Sequence, residues 1–70
     1  MKSLHVNGVE RRFSPAEMPA TLSDLLKALD VEAAVAVAEI DGVLVRPEHF
    51  ARTELTDGQN IELVRFVGGG

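Results

Sequence analysis

Leu22, Leu25, Leu26 and Leu29 fall at i, i+3, i+4 and i+7, the spacing of one helical face, whereas the apolar residues on either side of them form short, strand-like runs. Thr21 precedes the leucines as an N-cap and Asp24 lies three residues on, the capping-box arrangement, so a helix is predicted to start here with Ser23, Asp24 and Lys27 facing away. That leucine face has to cover a sheet. Upstream, Leu4 to Phe13 holds Asn7-Gly8 between two runs containing β-branched residues. Asn-Gly favours the positive φ angles of a type I′ turn, which predicts a β-hairpin. Ser14-Pro15 and Met18-Pro19 break any regular period after it, because proline removes an amide donor and biases its predecessor away from helix.

Downstream, Ala34 to Ile40, then Asp41-Gly42, then Val43-Leu44-Val45 predicts a second hairpin. The near-continuous apolarity of its first run predicts a strand buried on both sides or at the sheet centre. Pro47-Glu48-His49-Phe50 suits a short helical turn, Asp57-Gly58 another tight turn, and Ile61 to Val67 a last strand of partial alternation. One amphipathic helix on a mixed sheet of four to five strands is the two-layer solution, an α+β chain with β-grasp topology. Its first and last strands should lie parallel and adjacent at the sheet centre, joined by the long crossover that parallel strands need. The expected division is one domain over 1–67 and a flexible glycine tail over 68–70.

Composition narrows the chemistry. With 70 residues, 46% of them hydrophobic and 26% charged, the chain has room for one small globular domain and little capacity for an enclosed pocket of several hundred cubic ångströms. It contains no cysteine, which excludes disulfides, thiolate metal sites and a cysteine nucleophile. A net charge of −4 argues against a nucleic-acid or anionic-membrane partner. The longest apolar run, Ala33 to Ala38, is far short of the ~20 residues that span a bilayer, and no signal-peptide stretch opens the chain, so a cytosolic protein is expected. His5 and His49 lack metal-motif spacing and read as surface or hydrogen-bonding residues, and the scattered glutamates read as solvated surface.

The informative segment is Gly68-Gly69-Gly70, which ends the sequence directly after a well-patterned strand. Three terminal glycines suit a frayed end or a C-cap, and they also suit a tail that threads a narrow cleft to present its α-carboxylate. An ionised carboxylate resists nucleophiles until it is activated, for example as an acyl adenylate whose AMP a sulfur nucleophile displaces. Residue chemistry thus reaches a carrier of an activated acyl group. If Ile61 and Leu63 face the core, alternation turns Val64 and Phe66 to the open sheet face, an apolar pair beside the tail that suggests a docking patch continuing into Val67.

Taken in order, Asn7-Gly8, Thr21-Leu22 with Leu25-Leu26, Val35-Ala36-Val37-Ala38, Val45-Arg46-Pro47, Leu55-Thr56-Asp57-Gly58, and Ile61-Glu62-Leu63-Val64 running into Val67-Gly68-Gly69-Gly70 resemble the thiamine-biosynthesis sulfur carrier (ThiS) family of ubiquitin-like proteins. The resemblance spans nearly the whole chain. It implies a co-substrate and not an enzyme: an E1-like adenylyltransferase activates Gly70 with ATP, a sulfur donor system converts it to a thiocarboxylate, and thiazole synthase takes the sulfur. Gly68 and Gly69 match the family's flexible tail, and no cofactor is held permanently. Carriers serving molybdopterin synthase or cysteine biosynthesis, a ubiquitin-like protein modifier, and a purely structural β-grasp module share this pattern.

Overall fold

A computed structural model describes residues 1–65. They form a five-stranded sheet, ordered β2-β1-β5-β3-β4, in which β1 is Lys2–Val6, β2 Val9–Phe13, β3 Val35–Ile40, β4 Val43–Val45 and β5 Asn60–Arg65. One α-helix, α1 (Leu22–Ala28), supplies the second layer, with short 3-10 helices at Glu32–Ala34 and Pro47–Arg52. The pairing is mixed: β1 runs parallel to β5, with His5 opposite Asn60 and Val6 opposite Ile61, while the other neighbours are antiparallel. This is the β-grasp arrangement, with the last strand central and the first strand beside it.

The turns form where the sequence puts them. Asn7 and Gly8 have φ of 49° and 81°, and Asp41 and Gly42 of 49° and 86°, the left-handed pairs that match strand twist in two-residue hairpins. At the start of α1, the Asp24 N–H donates to Thr21 Oγ1 at 3.2 Å and the Leu22 N–H to the Thr53 carbonyl at 2.9 Å, which satisfies donors that a helix start leaves orphaned. Leu22, Leu25 and Leu26 are fully buried against Leu4, Val6, Ala38 and Ile61. Leu29 is the C-cap, only half-buried. After it the N–H of Val31 bonds back to Leu26 O and that of Asp30 to Lys27 O, a Schellman motif with Asp30 at φ 57°.

One expectation needs correction. The Val35–Ile40 strand lies between β5 and β4, but the central strand is β5, and β3 is buried on one face only. Val35, Ala38 and Ile40 point into the core, whereas Val37 and Glu39 lie half-exposed, because the helix layer covers a single face of the sheet. A register shift between Val35 and Val37 adds a residue to the strand and hides the alternation that would have revealed its open face. An open cleft of about 400 Å³ lies between the inner face of β2 and the end of α1.

Candidate functional site

The strand that leads to the tail is held from both sides. β1 pairs with β5 only as far as Val6 opposite Ile61, yet the Asn7 N–H donates to Ile61 O at 2.8 Å and the Leu63 N–H to Asn7 Oδ1 at 2.7 Å. A turn side chain therefore continues the ladder where the parallel strand has left it. On the other side, the Asn60 N–H donates to Asp41 Oδ1 at 2.9 Å and the Asp41 N–H to Asn60 O at 2.8 Å. Asn7 and Asp41 read in the sequence only as turn formers. Their second role depends on which strand lies next to each turn, which no local pattern encodes.

Side-chain alternation in β5 follows the expected faces. Ile61 is 1% exposed and Leu63 packs against the core, while Val64 stands on the open face at 48% exposure. Val64 sits opposite Val37 of β3, and Leu44 of β4, opposite Glu39 and 54% exposed, belongs to the same face. The open-face apolar surface is thus Val37, Leu44 and Val64. Sequence reading missed Leu44, although the two-residue Asp41-Gly42 turn fixes its register against Glu39 and so its face. Across the same face Glu39 and Glu62 lie directly opposite each other. Phe66, Val67, Gly68, Gly69 and Gly70, the other expected site residues, lie outside the described residues.

His5 is half-buried on β1, with an enclosed Nδ1 that has no hydrogen-bond partner among the described residues. His49 lies on the 3-10 helix, and no group of three or more His, Asp or Glu is placed to hold a metal among the described residues. No helix among them is long and apolar enough to cross a membrane.

Comparison with known proteins matches this architecture. In the crystal structure of the thiamine biosynthesis protein ThiS from Geobacter metallireducens, the alignment covers 97% of this chain and 99% of that one, at 34% identity and a TM-score of 0.78. The solution NMR structure of a thiamine biosynthesis protein from the same organism gives 33% identity, 97% and 87% coverage, and a TM-score of 0.74. The sulfur carrier protein ThiS of Bacillus subtilis is 31% identical over 67 residues, which cover 96% of this chain and 98% of that protein. A thiazole synthase of Paramagnetospirillum magneticum is 34% identical over 67 residues, and there the chain spans only 20% of the relative's length. The ThiS family model matches residues 4–70, through the three terminal glycines. With a central strand pinned on both sides, a one-helix β-grasp sheet and a match that runs to its last residue, the chain belongs to the ThiS family.

Proposed function

We propose that the chain is a sulfur carrier for the thiazole moiety of thiamine, with Gly70 as the reacting residue. The observation that carries this reading is the extent of the family match, which includes the glycine end as well as the folded domain. The carboxylate oxygen of Gly70 attacks the α-phosphorus of ATP on an E1-like adenylyltransferase and pyrophosphate leaves. A sulfide equivalent from the donor system then attacks the acyl carbon and AMP leaves, giving a thiocarboxylate. Thiazole synthase receives the sulfur in the cytoplasm. A thiazole synthase that carries a segment similar to this chain supports that last partner, since it joins the two in one polypeptide.

Within this cycle the chain supplies a handle, a rigid strand and an acyl group. Gly68 and Gly69 lack a Cβ and so fit a narrow channel. Val64, with Phe66 and Val67, meets the partner. Support for this docking comes from the exposure of Val64 beside Val37 and Leu44, an apolar surface next to the strand's end. ATP is consumed by the activating enzyme, and this chain holds no permanent cofactor.

The test is intact-mass measurement and ATP–pyrophosphate exchange with the activating enzyme, ATP and sulfide. The parent should gain the mass of one sulfur-for-oxygen replacement. A chain extended beyond Gly70 and a Gly69→Val form should not load, and Val64→Asp and Phe66→Asp should bind the enzyme more weakly while keeping the parent's circular dichroism. Loading of the extended chain at the parent's rate, or isopeptide adducts in place of thiocarboxylate, overturns the reading.

A further inference from the structure

Helix α1 is too short to cover the whole sheet. Its seven residues rise only ~10 Å, and the inner face of edge strand β2 is left bare. Val9 there is 56% exposed, although its partner Val6 on the same face is buried. Beside this bare face, the end of α1 and the residues after it close one wall of the open 400 Å³ cleft. Val6, Val9, Leu29 and Val31 give it an aliphatic lining, and Arg11 and Arg65 also line it. Among the described residues no Asp or Glu lines it, in a chain of net charge −4.

Arg11 lies opposite Leu4, and Arg65 opposite Val35, so both occupy inner-face positions of the sheet. An inward charge on an edge strand deters edge-to-edge aggregation, and this accounts for Arg11 on β2. Arg65 pairs with Val35 of β3 on one side and lies past the end of the β1 pairing, at Val6 opposite Ile61, on the other. Edge protection does not explain why both guanidiniums line one cleft with an aliphatic wall.

Resting on the reading of Gly70 as the residue an enzyme takes into its active site, we propose that this cleft is a second docking point. It receives an aspartate or glutamate, flanked by an apolar side chain, from the surface of the activating enzyme. Five residues reach at most ~18 Å, so an enzyme that holds Gly70 has its surface close to Arg65. Guanidinium groups bind a carboxylate through paired, charge-assisted hydrogen bonds. The aliphatic lining suits the neighbouring apolar side chain, which a free inorganic anion does not have. Contact here, on the helix side of the sheet, together with Val64 on the open side, would grip the root of the tail from two faces and fix its direction.

The test is calorimetric binding of the purified activating enzyme to the parent, to Arg11→Glu/Arg65→Glu, to the milder Arg11→Gln/Arg65→Gln, and to Lys2→Glu/Arg52→Glu. The last pair makes the same charge change away from the cleft. Circular dichroism and thermal melting report folding of each. The glutamate pair at the cleft should weaken binding by roughly tenfold or more, with a smaller loss for the glutamine pair and near-parental binding for the distant control. The parent's affinity should also fall with added NaCl more steeply than that of the glutamine pair. Equal losses in the cleft and control pairs, or no loss in either cleft pair while the parent still acquires sulfur, overturn the cleft and leave the carrier reading standing. Failure of the parent to bind overturns both. Competition by millimolar inorganic phosphate that vanishes in the glutamine pair makes the cleft a small-anion site and also overturns the proposal.

Discussion

At Asn7 a left-handed backbone and a side-chain acceptor coincide. The first makes the hairpin turn, and the second takes the Leu63 N–H at 2.7 Å in the strand that leads to the tail. Asn7→Gly separates the two, because glycine keeps the φ of 49° and lacks the amide oxygen. The expected cost is about 1 kcal/mol in denaturant titration, the net worth of an accessible hydrogen bond, with faster hydrogen exchange at Leu63. Unchanged exchange at Leu63 would show that the side chain does not hold the strand in solution. At Asp30 the left-handed backbone serves a Schellman motif that uses main-chain groups alone. Asp30→Gly should therefore stabilise the fold by about 0.5–1 kcal/mol, read as a higher urea midpoint at constant m.

At the scale of elements, α1 depends on its packing, since seven residues are far below the length at which helices persist alone. Three of its leucines are completely buried and reach residues from β1, β3 and β5. Leu26→Ala should cost about 2–5 kcal/mol, from lost burial plus the cavity left behind. A loss under about 0.5 kcal/mol would contradict the packing of this face. The helix and both hairpins were legible in the sequence because capping, leucine spacing and Asn-Gly or Asp-Gly turns act over a few residues. The open face of β3 was not legible, because the Val35–Val37 irregularity breaks the two-residue period on which that reading depends.

Across the whole molecule, the topology sets Glu39 directly opposite Glu62 on a sheet face that the helix does not cover. Like charges facing each other across strands destabilise a sheet, and a net charge of −4 adds a repulsive background. Glu62→Lys should raise stability by about 0.2–1 kcal/mol at low ionic strength, with the gain shrinking as NaCl is added. A gain that is the same at 1 M NaCl would point to packing as its source. The parent itself should become more stable with moderate salt, because screening weakens the repulsion.

The sequence by itself determined the elements, their turns, the leucine face and the glycine end that suits acyl transfer, since each depends on backbone sterics, side-chain spacing or the absence of a Cβ. It also placed Val64 on the open face, because burial alternates along β5 from Asn60 to Val64. Tertiary structure alone decided that Asn7 and Asp41 would brace that strand, that Leu44 and Val37 would share its face, that Glu39 would meet Glu62, and that Arg11 and Arg65 would share a cleft. Each of these pairings joins residues far apart in the chain, and a side chain's partner across such a distance is fixed by strand order and register.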